Sequence, residues 1–214
     1  MAAGFHTLFY SFSADFLSTI DFAYVDKVIV WCRQNEMFVI GTPLYYVHHD
    51  PIWAKDISVD DLWQRQLSYS EAMPRHFGKS LDAWVVCNEF SGNSWQSPVY
   101  RRWSPKLGQI VEEKGDAATI KANFAAARKG NPNAVMIAND NNTGKPFLDL
   151  LNKLKDKNGK PVYDVIGLQS HQLRENWTNE KIWNVCESFV QFGVPLYFTE
   201  KYDYARQRRR FSSR

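Results

Sequence analysis

The chain has 214 residues, 44% hydrophobic and 15% aromatic, enough for one domain with a sizeable core and too few for two. The formal charge of +3 does not indicate a nucleic-acid groove, because five of the 26 basic residues lie in the acid-free tail Arg206–Arg214, leaving 21 against 23 acids. Cys32, Cys87 and Cys186 form an odd set without a C-x-x-C pair, which argues against a disulfide framework and a zinc site. No apolar run reaches membrane-spanning length. Met1–Phe16 lacks the basic start and cleavage site of a secretory leader.

From residue 22 onward, helix-like and strand-like segments alternate. Val25, Val28, Ile29 and Cys32 follow the helical i, i+3, i+4, i+7 spacing and predict a helix over 22–34. Phe38–Leu44 is a short apolar run, a strand candidate. Val59–Phe77 reads as a helix capped by Ser58, with Pro74 expected to kink or end it. Leu81–Cys87 is the second strand. Asp116 is expected to cap a helix with the stripe Ala117, Ile120, Phe124 and Ala127, stopped by Gly130, Asn131 and Pro132. Val135–Ala138 is the third strand. Pro146 opens a helix carrying Phe147, Leu150, Leu151 and Leu154 on one face. Val165–Leu168 is the fourth strand, 179–192 a helix with Ile182, Val185, Cys186 and Phe189 inward, and Pro195–Thr199 the fifth strand.

Strands apolar throughout are buried on both faces, as in parallel sheets joined by helical crossovers. The choice lies between a doubly wound sheet and a (β/α)₈ barrel, and the absence of G-x-G-x-x-G and P-loop motifs weakens the first. The strand ends favour the barrel. The first leads through Tyr45 and Tyr46 to His48 and His49. The second ends in Asn88-Glu89, the third in Asn139-Asp140-Asn141, the fourth in Gln169-Ser170-His171 and the fifth in Glu200. Polar and titratable groups at the same end of five successive strands are the arrangement of a barrel's active face. Glu89 and Glu200 each follow an apolar strand directly. Paired carboxylates of this kind suit glycosidic bond cleavage, which needs a proton on the leaving oxygen and a carboxylate facing the anomeric carbon.

Laid out this way, the chain resembles glycoside hydrolase family 10, the β-1,4-xylanases. WVVCNE (84–89) is similar to the family's W-D-V-V-N-E, IANDNN (137–142) to Y-I-N-D-Y-N, IGLQSH (166–171) to I-G-I-Q-S-H and PLYFTE (195–200) to P-I-Y-I-T-E. The stretch from Ile20 to Met37 resembles the family's first recognisable helix. The resemblance implies a retaining enzyme of endo action on β-1,4-xylan, with Glu89 as acid/base and Glu200 as nucleophile. It further implies that His171 hydrogen-bonds Glu200, that Gln169 supports His171 and that Asn88 binds the sugar 2-hydroxyl. Tyr46, His49, Trp53 and Asn139 are the substrate-binding candidates. No cofactor or metal is implied, the partner is a polysaccharide rather than nucleic acid or membrane, and the expected form is a secreted monomer.

The departures are specific. In G-T-P-L-Y-Y-V-H-H (41–49), Thr42 stands where the family has a sugar-contacting His, Tyr46 where it has Trp, and His49 where it has Gln. Asp203 falls one residue late. Strands three to seven of a barrel are recognisable, the second is not evident within Phe5–Leu17, and the first and eighth are missing, so residues 1–205 read as a partial barrel and 206–214 as a disordered basic tail. Bland readings stand beside the sharp ones. Tyr46 and Trp53 equally suit a core, His48 and His49 polar surface, and Asp140 a loop-holding role, while Trp95 and Trp103 are read as lining the leaving-group side. The rival functions are a non-catalytic carbohydrate-binding fragment and a β-glycanase acting on glucan or mannan.

Overall fold

A computed structural model of the protein describes residues 2–6, 22–48, 50–171 and 176–200, the first segment as backbone only. Six parallel strands form one sheet in strict chain order, β1 (Ala2–His6), β2 (Phe38–Thr42), β3 (Ala83–Asn88), β4 (Val135–Asp140), β5 (Val165–Leu168) and β6 (Leu196–Phe198). A doubly wound sheet reverses its strand order part-way and places helices on both faces. Among the described residues the order never reverses, and the helices pack against one face while the other carries a separate small apolar cluster, the winding of an incomplete (β/α)₈ barrel.

The inner and outer faces follow from the two-residue period of a strand. Trp84, Val86, Met136, Ala138, Ile166 and Leu168 join one apolar cluster with the helix residues Leu62, Phe124, Leu151 and Phe189. Ala83, Val85, Ile137 and Val165, with Ile40, Val135 and Tyr197, form a separate small cluster on the opposite face. Those helices are α1 (Ala23–Gln34), α2 (Val59–Phe77), α3 (Pro98–Trp103), α4 (Pro105–Lys114), α5 (Asp116–Gly130), α6 (Lys145–Lys153) and α7 (Asn179–Val190).

One irregularity governs the site. Val85 pairs with Ile137, yet Cys87 pairs with Ala138 and Asn88 with Asn139, so Val86 is an extra residue in β3. A bulge of one residue inverts the face of everything after it. Cys87 therefore packs outward with Ala138, and Asn88 turns inward beside Asn139. Unbroken alternation would have sent Asn88 to the helices.

The opposite, N-terminal edge of the strands is held by a device used twice. Asp82 exchanges two hydrogen bonds with Val39 and pairs with Arg33 of α1 at 2.9 Å. Asp164 does the same with Met136 and pairs with Arg128 of α5 at 2.7 Å. Each aspartate thus satisfies the backbone N–H of the second residue of a strand.

Several expectations are corrected. A further strand, β1, runs along Ala2–His6 and pairs with β2, reaching into the start of the stretch Phe5–Leu17 where no second strand was evident; residues 7–21 lie outside the described residues. Pro74 does not end α2, which runs on to Phe77. Proline forfeits one backbone bond, and the burial of Met73, Pro74 and Phe77 holds that turn. Asp116 is the first residue of α5 rather than its cap, which is Gly115. Helices α3 and α4, opened by Ser97-Pro98 and Ser104-Pro105, went unread. Ser58 caps α2 as expected, accepting from the Asp61 N–H. Only Phe189 of the α7 stripe is fully buried, because β6 beneath it is half-exposed. The basic tail lies outside the described residues.

Removing the carboxylate of Asp82 leaves the N–H of Val39, a fully buried residue, without its acceptor. Asp82→Ala is expected to cost about 1–3 kcal/mol of unfolding free energy, measured by denaturant titration. A loss below about 0.5 kcal/mol would reduce the device to an ordinary surface ion pair.

Candidate active site

The C-terminal ends of β3 to β6 converge on a chain of side-chain hydrogen bonds. At its centre is Asn88, 4% exposed. Its Oδ1 accepts from Asn139 Nδ2 at 2.7 Å and from Gln169 Nε2 at 3.1 Å. Asn139 Oδ1 accepts in turn from Thr199 Oγ1 at 2.6 Å. Gly167 makes this possible, since a Cβ there would lie 2.4 Å from Asn139 Oδ1. Four strands each contribute to one inward-facing polar layer, directly above the small apolar cluster of the barrel interior.

Glu89 follows at once, with φ of 59°. A left-handed conformation costs a non-glycine residue about 1–2 kcal/mol, and such strain collects at functional sites. The Glu89 N–H bonds the Asn139 carbonyl at 3.1 Å and the Ser94 hydroxyl donates to the Glu89 carbonyl, so the turn is pinned on both sides. Its carboxylate takes three donors. Tyr46 and Tyr100 hydroxyls reach Oε2 at 2.9 and 3.1 Å, and Gln169 Nε2 reaches Oε1 at 2.7 Å. Burial, and then the neighbouring Glu89 charge, raise the pKa of both phenols, which keeps them protonated and able to donate. His48 stacks on Tyr46 with ring centres 5.0 Å apart and meets Tyr100 edge-on.

Glu200 stands at the end of β6. Its Oε2 lies 3.4 Å from His171 Nε2, with both side chains a little over a quarter exposed. The Ser170 hydroxyl holds the Glu200 carbonyl at 2.7 Å, and Ser170 is itself left-handed, with φ of 48°. Gln169 and Ser170 are consecutive, one bonded to Glu89 and the other to Glu200. Both carboxylates therefore occupy the same end of the sheet, tied through one turn.

Of the other candidates, His49 lies outside the described residues. Trp53 is partly buried against the main core, with the Arg65 guanidinium 5.3 Å over its ring. Trp95 is not a cleft residue: it is 6% exposed and belongs to the core. Trp103 is 51% exposed, with Arg102 stacked over it. Gln169 bonds Glu89 and Asn88 rather than His171. Tyr100 went unread, although Ser97-Pro98 marks the start of the short helix that carries it. Among the described residues no group of three or more His, Cys, Asp or Glu is arranged to hold a metal.

Asp140, 1% exposed, faces the helices and accepts from Ser91 N, Ser91 Oγ and Asn142 N at 2.7–2.9 Å, shaping the loops after β3 and β4. Burial, with Glu89 adding to it, raises its pKa above the usual aspartate range in spite of these bonds. A raised carboxyl pKa gives stability that is complete below the unfolded value and lost as pH climbs through the folded one. Relative to Asp140→Asn, the wild-type chain is therefore expected to lose unfolding free energy as pH rises from about 3 toward neutrality. Denaturant titrations of both proteins over that range check this, and a constant difference between them would refute it.

Comparison with known proteins places the sequence and the fold. The sequence pattern of glycosyl hydrolase family 10 matches residues 12–208. The chain is 27% identical over 186 residues to a β-1,4-xylanase of Dictyoglomus thermophilum, spanning 84% of this chain and 50% of that protein. It is 30% identical over 162 residues to endo-1,4-beta-xylanase A of Thermotoga neapolitana, spanning 70% of this chain and 14% of that one. The fold resembles the GH10 structure from Paenibacillus barcinonensis with a TM-score of 0.68 at 21% identity, covering 88% of this chain and 58% of that one. Xylanase 10B of Thermotoga maritima gives a TM-score of 0.64 at 23% identity, over 84% and 55%. The chain spans half the length of the first relative, and with 197 of its positions inside the family pattern it belongs to glycosyl hydrolase family 10.

Proposed function

We propose that the chain carries the catalytic face of a retaining glycoside hydrolase that cleaves β-1,4-xylan internally, with Glu200 as nucleophile and Glu89 as acid/base. The observation that supports this reading is the link from the Glu89 carboxylate through consecutive Gln169 and Ser170 to the Glu200 backbone carbonyl, at the same end of the parallel sheet. The naming of the relatives as xylanases supports the substrate. A polymer of that kind is met outside the cell, and we read the protein as extracellular.

In the first step the Glu200 carboxylate attacks the anomeric carbon while Glu89 delivers a proton to the departing oxygen, leaving a glycosyl ester on Glu200. In the second, Glu89 takes a proton from water, which attacks the same carbon and frees Glu200. Retention requires carboxyl groups about 5–5.5 Å apart. His171 orients Glu200 for attack, and Asn88 binds the 2-hydroxyl, a contact that tightens as the oxocarbenium forms.

The cradle of Glu89 suits a group whose proton comes and goes. A tryptophan at position 46 could only donate, whereas a tyrosine hydroxyl donates to the carboxylate and accepts from the carboxylic acid. Tyr46 and Tyr100 can thus hold Glu89 in both states by turning their hydroxyl protons.

Glu200→Ala is expected to abolish hydrolysis of any aryl β-xyloside. Glu89→Ala is expected to retain turnover only with a good leaving group and to recover it with azide, giving a β-glycosyl azide. Reducing-sugar release and calorimetric titration of xylo-oligosaccharides measure both steps, and binding without release by the unaltered chain would favour the carbohydrate-binding reading that Thr42 motivates.

Tyr100→Phe is expected to slow poor-leaving-group substrates by about tenfold, one buried hydrogen bond to a charged group, and dinitrophenyl substrates far less. Equal slowing of both would contradict a role in proton delivery.

A further inference from the structure

We propose that Thr199 is a positioning residue that, through Asn139, holds the Asn88 carboxamide with its NH₂ toward the substrate. The proposal rests on the two-glutamate reading above and assigns Asn139 a role behind the sugar-binding surface, since it is 2% exposed.

The direction of each bond in the layer is determined. When ionised, the Glu89 carboxylate only accepts, so Gln169 turns its Nε2 toward it, 2.7 Å away. The same Nε2 then meets Asn88 at 3.1 Å, which must present oxygen. With that oxygen inward, Asn139 must present its own Nδ2, at 2.7 Å. Asn139 Oδ1 is thereby driven into the interior, where water does not reach and a donor is required. Thr199 Oγ1 supplies it at 2.6 Å. The oxygen of Asn88 is now engaged twice, and its Nδ2 hydrogens are what it has left to offer a sugar hydroxyl.

Thr199 completes this chain from the strand that also delivers Glu200. Without the hydroxyl, the buried Asn139 oxygen has to find another donor, and turning the carboxamide toward one breaks its bond to Asn88. Gly167 guards the same contact from the side. A methyl group there would approach Asn139 Oδ1 to 2.4 Å and the Thr199 methyl to 3.0 Å.

The test compares Thr199→Val and Thr199→Ser in the 214-residue chain by two readouts. The first is the side-chain amide ¹H–¹⁵N spectrum, in which Thr199→Val should shift the Asn88 signals, two hydrogen bonds away, and Thr199→Ser should restore them. The second is hydrolysis of an aryl β-xylobioside beside its analogue lacking the 2-hydroxyl on the cleaved sugar. Thr199→Val should lower kcat on the ordinary substrate by about five- to tenfold, the equivalent of one buried hydrogen bond, with KM unchanged and the deoxy analogue unaffected. Equal losses on both substrates, unmoved Asn88 signals or no rescue by serine would overturn the proposal. An unaltered chain that cleaves neither substrate would instead end the two-glutamate reading, and the amide spectrum would decide the positioning role by itself.

Discussion

One surplus residue in a strand decides what this barrel's active end can do. Because strand side chains alternate, the inward set of β3 would otherwise be Ala83, Val85 and Cys87. The bulge at Val86 changes the parity once, after the apolar layer is complete and before the polar one begins. Asn88 then meets Asn139 and Gln169 in the interior. The left-handed turn at Glu89 raises the carboxylate to face Tyr46 and Tyr100. Every contact at the Glu89 side of the site presupposes that change.

The two ends of the sheet divide stability from chemistry. At the N-terminal edge, Asp82 and Asp164 close backbone groups near the starts of β2 and β4 and take an arginine each from a packed helix. At the C-terminal edge, Glu89 and Ser170 both adopt left-handed backbone, an expense the rest of the fold absorbs. Within the polar layer the bonds from Thr199 to Asn139, from Asn139 to Asn88 and from Gln169 to Asn88 each run from donor to acceptor, which limits the cost of burying them.

Much of this was legible in the chain itself, for reasons that also mark where it stopped. Five apolar runs each followed by polar groups, from Tyr46 to Glu200, revealed both the parallel sheet and its active end, because burial on two faces leaves no other place for polar side chains. That same uniformity hid the bulge. In Trp84-Val85-Val86-Cys87 all four residues are apolar, so no alternation remains from which to read the face of Asn88. Tyr100 was hidden differently, since its partner Glu89 reaches it only across a helix too short to show a hydrophobic period. Trp95 misled because a tryptophan in a polar stretch suggested a cleft, whereas it is buried in the main core. β1 had no motif to reveal it, and it is defined by its pairing with β2.

The strict order of the strands has a consequence for how the site comes into being. Each strand pairs with the one just before it in the chain, so contacts stay local in sequence and the sheet can grow by one βα unit at a time during synthesis. Asn88 is in place first, then Asn139, then Gln169 and Ser170. Thr199 and Glu200 arrive last, on the strand that completes the polar layer. On the proposed two-glutamate reading, a nascent chain is therefore chemically silent until β6 docks and brings the second carboxylate beside the first.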